Sequence, residues 1–594
     1  MTTTIHRWFR SGDYLSLGHT ELPEEIRGDK GVLIVPPFGF EEVSAYRSLR
    51  HMAGMLAANG IPVLRFDLPG TGDSSGGALD NRLLKAWVES ISTAAEELRA
   101  NSGVKEIVAL GVQVGAMLAL MAAADGADIE DLVLWGPAAT GRNAIRELRA
   151  FAKMRRASQE EPLPQPIPGL EVAGFLLTSE TQQALEAVNL TALSGVGSRR
   201  ALLLTRDDLP PDTKLLNALR SWGCAVEVKA GAGYAAMMAP PLDSAPPVAT
   251  GRLITEFVAG EFREEERPAD FAKDSHSRPA AKTVSTTEID GVVESVYTVG
   301  ASAGRMFGVL SEPPANVPQT GLCILFLNAG AVRHIGPNRM WVEAARRWAA
   351  RGVPSLRLDL LGIGESDGET HNDVAGLYEI GLVEQVESAM ESLRARLGHQ
   401  RFAAIGLCSG AFYAFHAAIR NPEIRAAVLL NPRLFFWDPE VDRRRMLRST
   451  ARGLTDWRHW RSLAQGRVRA ALLKRVAEIA LERMLSLWTA AGKHPQIEPT
   501  AMGRAWSALE RNQCQMTMIF GGGEPLLAEM EAEGQLPPKK NPRIRCVRIP
   551  NTDHLVCPLW AQKLVHDLVD DEIDAAVHDG EPSAERRFSA SGKT

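Results

Sequence analysis

At 594 residues the chain is too long for a single hydrophobic core, and two or more domains are expected. Its composition, 45% hydrophobic and 23% charged with a formal net charge of −6, is that of an ordinary globular protein and excludes a general nucleic-acid binder. Six cysteines without a C-x-x-C pair argue against a disulfide framework and against a zinc site.

The first residues, Met-Thr-Thr-Thr-Ile-His-Arg-Trp, lack the apolar core of a signal peptide, so a cytoplasmic location is expected, with no membrane contact. Apolar runs at 32–35, 61–66, 107–110, 132–135 and 201–205 alternate with helix-like segments, the pattern of a parallel sheet with crossovers. The long apolar stretch 107–124 is interrupted by Gly111, Gln113 and Gly115 and reads as buried strand plus buried helix, not as a membrane span. Residues 263–283 are charged, bear proline and are poor in apolar side chains, as linkers are. The strand–helix alternation then resumes, with apolar runs at 323–327, 353–358, 402–405, 427–430 and 516–520. The division expected is 1–262, a linker at 263–283, a second domain at 284–575 and a disordered tail at 576–594.

The two halves repeat one another. Arg65-Phe-Asp-Leu-Pro-Gly-Thr-Gly-Asp-Ser74 in the first matches Arg357-Leu-Asp-Leu-Leu-Gly-Ile-Gly-Glu-Ser366 in the second. Further on, Gly111-Val-Gln-Val-Gly115 matches Gly406-Leu-Cys-Ser-Gly410, and Gly136-Pro137 matches Asn431-Pro432. Landmarks recur in the same order, which indicates a tandem duplication of one fold. The segment around Cys408 reads as strand, tight turn and helix, with glycine two residues to either side. A strained turn of this kind presents its central side chain as a nucleophile, and larger neighbours would clash. Shifting the frame to Ser409 would put Leu407 at a small-residue position, so Cys408 is favoured.

On these motifs each half resembles the α/β-hydrolase superfamily, specifically the serine-aminopeptidase-like hydrolases. The resemblance implies two tandem α/β domains, each a mostly parallel doubly wound sheet, with a nucleophile, an acid and a histidine in that chain order. In the second half the implied acid is Glu524, in the turn Gly-Gly-Gly-Glu-Pro after an apolar run, and the implied base is His554, after a further strand; Asp553 is a fallback acid. The oxyanion donors implied are the backbone amides of Ser409 and of Gly330 or Ala331. In the first half the corresponding positions hold Gln113, Asp208 (or Asp207) and Tyr234. An amide cannot be activated as a nucleophile, and a phenol is a poor base at neutral pH, so this half is expected to be catalytically degenerate: a scaffold, half of an intramolecular dimer, or a retained ligand pocket.

An insertion at about 433–513 is expected to form a helical cap. Between Arg433 and Arg475 it has twelve basic residues against four acidic ones, and Trp437, Trp457, Trp460, Trp488 and Trp506 are spread along it. These are either solvated faces and packing anchors, or an entrance for an anionic substrate arm with Arg443, Arg444, Arg445, Trp457 and Trp460 as candidate contacts; phosphopantetheine on coenzyme A or on an acyl carrier protein would suit it. The shorter first-half equivalent, about 138–200, also begins basic, with Arg142, Arg146, Arg149, Lys153, Arg155 and Arg156. The expected chemistry is acyl transfer through an acyl-Cys408 intermediate with no cofactor and no metal. Hydrolysis of an ester or thioester is placed ahead of transfer to an amine or alcohol, and a non-catalytic binding protein with Cys408 as a core residue is the rival.

Overall fold

The computed structural model describes residues 2–156, 167–207, 209–260, 285–371, 373–398, 401–437, 499–537 and 541–578. The linker, most of the cap with Arg443, Arg444, Arg445, Trp457 and Trp460, Asp208, and residues 579–594 lie outside the described residues.

The repeat folds as expected, into two sheets of one design. The first comprises β1 (Thr3–Ser11), β2 (Tyr14–Leu22), β3 (Lys30–Val35), β4 (Val63–Phe66), β5 (Glu106–Val112), β6 (Asp131–Trp135), β9 (Arg200–Thr205) and β10 (Ala225–Ala230), in the order 1-2-4-3-5-6-9-10. A small hairpin, β7 (Leu170–Val172) and β8 (Phe175–Leu177), stands outside it. The second sheet comprises β11 (Thr286–Ile289), β12 (Val292–Ala301), β13 (Gly304–Glu312), β14 (Leu322–Phe326), β15 (Ser355–Leu358), β16 (Arg401–Leu407), β17 (Ile424–Leu430), β18 (Gln515–Gly521) and β19 (Ile544–Ile549), in the order 11-12-13-15-14-16-17-18-19. Strands β3 to β6, with β9 and β10, pair in parallel, as do β14 to β19; β1, β2 and β11 to β13 are antiparallel additions at one edge.

Helices cover both faces. In the first half α1 (Phe40–Ala58) lies on one face; α2 (Leu83–Ser102), α3 (Val114–Ala124) and α4 (Gly141–Arg156) lie on the other. The stretch 107–124 is buried strand and buried helix, as its composition implied. Then follow α5 (Ser179–Ala187), α6 (Thr213–Ser221), the single turn α7 (Tyr234–Met237) and α8 (Val248–Ala259). In the second half α9 (Met340–Ala349) and α14 (Leu559–Val577) cover one face; α10 (Gly381–Leu397), α11 (Ser409–Arg420), α12 (Pro499–Arg511) and α13 (Pro525–Ala532) cover the other. Helix α12, inside the expected cap, belongs to the sheet's covering layer. Its Met502, Trp506 and Leu509 are buried, and Trp506 meets Phe415 and Phe435 edge-on, so this tryptophan is a packing anchor. Among the described residues no helix is long and apolar enough to cross a membrane.

The repeated R-x-D-x-x-G-x-G-[DE]-S segments meet each other across the two halves. Arg65 donates to both oxygens of Glu365 at 2.9 Å, and Arg357 donates to Asp73 at 3.0 Å; the same step of the repeat is exchanged in both directions. Within each segment the aspartate ties its own loop, Asp67 accepting from the Asp73 amide and Asp359 from the Glu365 amide. His334 joins the halves, with Nε2 2.7 Å from Asp73 and Nδ1 2.8 Å from Asp359. Arg333 donates to Asp67 and Glu42. These side chains are buried, and a buried charge is tolerated only when it is paired with an opposite one.

Burial alone would lower the His334 pKa, but the two carboxylates prevail and push it from 6.5 to about 10. A folded-state value above the unfolded one gives stability that is fully present below the unfolded pKa and is lost as pH rises through the folded value. The urea midpoint of the whole chain is therefore expected to fall progressively as pH is raised above neutrality toward about 10, and a His334→Gln variant should lose most of that slope. Parallel slopes in the two proteins would contradict the assignment.

Candidate active site

Strand β16 delivers Cys408 to the turn before α11. Cys408 has φ 58° and ψ −110°, and Gln113 in the first half has φ 53° and ψ −118°. A positive φ in a non-glycine residue is costly and marks positions that the surroundings over-determine. The flanking glycines are required by contact. A Cβ on Gly406 would come within 2.2 Å of the Gly410 backbone, and one on Gly410 within 2.3 Å of the Asn328 carbonyl. Cys408 alone occupies the strained position. Ser409 has entered the helix, is buried, and its hydroxyl accepts the Gly330 amide at 3.0 Å.

Glu524 and His554 arrive from the loops after β18 and β19. His554 Nδ1 lies 2.9 Å from Glu524 Oε1, which fixes the ring and leaves Nε2 for the thiol. Asn431, at φ 42° after β17, donates to the His554 carbonyl at 2.8 Å and accepts the Gly521 amide, so it ties the His554 loop to the end of β18. Asp553 takes no part in the pair; it accepts the Cys557 amide at 2.7 Å.

Burial raises the Cys408 pKa, but hydrogen bonding to His554 and its charge, the Tyr378 hydroxyl and the nearby Arg433 guanidinium outweigh it and bring the thiol below its ordinary value. Burial opposes the His554 imidazolium, whereas hydrogen bonding to Cys408 and Glu524 raises it to about 10. Both directions favour a thiolate–imidazolium pair. The Tyr378 hydroxyl lies 3.5 Å from Cys408 Sγ, and burial holds its own pKa far up, so it remains a donor. Tyr378 stacks on Trp437 at 5.5 Å, 7° from parallel. Sequence reasoning missed Tyr378 because it sits in a short 3₁₀ turn without a motif (Ala375–Tyr378). Tyr378→Phe should raise the thiol pKa and reduce kcat/KM about tenfold, since hydrogen bonds to charged groups carry that much; an unchanged pH profile would remove Tyr378 from the site.

Of the expected oxyanion donors, the Ser409 amide opens α11, where no intrahelical acceptor exists. The Gly330 amide donates to the Ser409 hydroxyl, so Ala331 is the remaining one of the two donors expected on that loop.

The first half has a different arrangement at the same place. Gln113 Nε2 is 3.5 Å from Glu147, whose carboxylate is taken by Arg206 at 2.8 and 3.3 Å. Tyr234 is buried against Trp135, and burial pushes its pKa far up. Asp207 accepts the Gly233 and Ala235 amides at 2.9 and 2.7 Å and so holds the turn that carries Tyr234. The cluster among the described residues whose donor atoms lie close enough to hold a metal is His6, His19 and Glu365, and both Glu365 oxygens accept from Arg65.

Residues 324–568 match the model of an alpha/beta hydrolase family, and residues 34–186 match that of the serine aminopeptidase family S33. No curated protein matches the chain. Among solved structures the chain is similar to a dienelactone hydrolase from Anabaena variabilis, with 19% identity and a TM-score of 0.30 over 48% of this chain and 98% of that one. It is also similar to Est1E from Butyrivibrio proteoclasticus, with 15% identity and a TM-score of 0.31 over 43% and 98%. A proline iminopeptidase from Mycobacterium smegmatis matches with 13% identity and a TM-score of 0.32 over 44% and 98%.

Proposed function

From the premise that the chain belongs to the α/β-hydrolase superfamily, we propose that its second half is a cysteine acyl hydrolase and that its first half is catalytically inactive. The observation that carries this reading is the thiol of Cys408 in the strained turn, held below its ordinary pKa beside a His554 ring that is oriented at 2.9 Å by Glu524. A buried structural cysteine has its pKa raised instead, as Cys323 and Cys514 do.

The Cys408 thiolate attacks the acyl carbonyl of an ester or thioester, and the carbonyl oxygen becomes an oxyanion held by the Ser409 and Ala331 amides. On collapse, the bond to the leaving alkoxide or thiolate breaks and the His554 imidazolium protonates that group. Neutral His554 then takes a proton from water, whose oxygen attacks the acyl-Cys408 thioester. The second tetrahedral species expels Cys408 as thiolate, and the acid is released. An amine or alcohol in place of that water would give transfer, and the thioester intermediate is the feature that favours this second reading. Arg433 beside the thiol suits an anionic thioester arm such as that of coenzyme A or a carrier protein.

Intact-mass analysis after brief exposure to a p-nitrophenyl acyl ester tests the proposal. An added acyl mass on the peptide containing Cys408, discharged by water, is expected; acylation elsewhere or none would overturn it. Faster discharge by added amine than by water would favour the transferase reading.

A further inference from the structure

Residues 553–557, the loop that carries His554, are contacted directly by the first half. At the end of α4, Arg155 Nη2 lies 3.4 Å from Asp553 Oδ2 and 3.7 Å from Cys557 Sγ. At the turn of the β7–β8 hairpin, the Gly174 carbonyl accepts from Gln562 Nε2 at 3.0 Å, and the same nitrogen donates to the Cys557 carbonyl at 2.8 Å. Gly174 also presses on Asn338, where a Cβ would come within 2.5 Å of the carboxamide. Asn338 in turn donates to the Leu555 and Val556 carbonyls at 3.1 and 3.2 Å.

The loop needs this bracing. Val556 is buried at φ 54°, and a β-branched residue there is strained. Such a conformation persists only when its surroundings over-determine it. Asn338 and Arg339, at φ 51° and 68°, are strained as well. Arg339 is pinned by first-half carbonyls of Gly72, Ser74 and Gly76 at 2.8, 2.7 and 3.0 Å. From the second half, the His554 backbone is held by Asn431 alone among the side-chain bonds described.

We infer that the first half, without a nucleophile or base of its own, is a positioning element for the second: Arg155 and Gly174 hold the 553–557 loop so that His554 stays engaged with Cys408. This rests on the Cys408–His554 reading above. Arg155 and Gly174 touch neither the substrate nor the Cys408 thiol and act through Asp553, Cys557, Asn338 and Gln562.

The test follows Cys408 alkylation by iodoacetamide against pH, by peptide mass, in the full-length protein. Gly174→Val forces a side chain into Asn338 and should shift the thiolate midpoint toward that of His554→Ala, with the rate at about pH 6.5 reduced about tenfold. Arg155 is 36% exposed, so Arg155→Met should fold normally; a reduction of about two- to threefold is expected for a single partly exposed ion pair, with recovery in Arg155→Lys. If Gly174→Val does not fold, Arg155→Met and Arg155→Lys decide alone. Wild-type and His554→Ala profiles that coincide would sink the Cys408–His554 reading itself. If those two differ while folded Gly174→Val and Arg155→Met follow the wild type, the positioning role is wrong.

Discussion

Substitution of Cys408 by alanine is expected to reduce ester turnover roughly a thousandfold or more, the scale on which triad members fail when one is removed. The fold should survive. Alanine tolerates the turn as well as cysteine does, and Gly406 and Gly410 still allow the close backbone approach. Because nucleophile and base act as a unit, a double variant Cys408→Ala/His554→Ala should be no worse than the single one. Steady-state kinetics checks this, and additive losses would indicate that the two side chains do not work on one step. A Gln113→Ala variant, altered at the equivalent turn of the first half, should keep kcat, because Gln113 is engaged with Glu147 and not with any group of the second-half site.

Replacement of Asp73 by alanine should cost about 3–5 kcal/mol of stability, the penalty for removing one partner from a buried charge cluster. Asp73 is fully buried and faces His334 at 2.7 Å, Arg357 at 3.0 Å and Arg333 at 3.8 Å. Its carboxyl is desolvated by burial, yet His334 and the two guanidinium groups hold it well below the usual carboxylate range. Without it, three cationic groups share what remains of the junction between the halves. Equilibrium urea unfolding measures the loss, and a change below about 1 kcal/mol, the scale of a surface ion pair, would show that the cluster is solvated in solution.

The parts of this molecule legible in sequence are those with local patterns. The repeated R-x-D-x-x-G-x-G-[DE]-S segment, the glycine-flanked turns and the strand–helix alternation sufficed for two tandem sheets. Glu524 and His554 were singled out by their order in the chain, and the structure brings them within 2.9 Å of each other after strands β18 and β19. Contacts between the halves left no such trace. Arg155 meets Asp553 from 398 residues away, and nothing in either segment marks the pairing. Arg333 and His334 follow Gly330 and Ala331 closely, but nothing nearby in the chain tells that two charged side chains there are buried against Asp67 and Asp73. The antiparallel strands β1, β2, β12 and β13 were also missed; they alternate too weakly, because β2 is buried on both faces. The Gly330 amide reads from sequence as an oxyanion donor, but a neighbouring hydroxyl takes it up.

The pH dependence of Cys408 alkylation, compared between the wild type and His554→Ala, measures the thiolate–imidazolium pair without any assumption about substrate. The wild-type rate should rise with a midpoint below the ordinary thiol value of about 8.5, and His554→Ala should move it upward, because only the Tyr378 hydroxyl and the Arg433 charge then oppose burial. A wild-type midpoint at or above about 8.5 that His554→Ala leaves in place would contradict the cysteine mechanism.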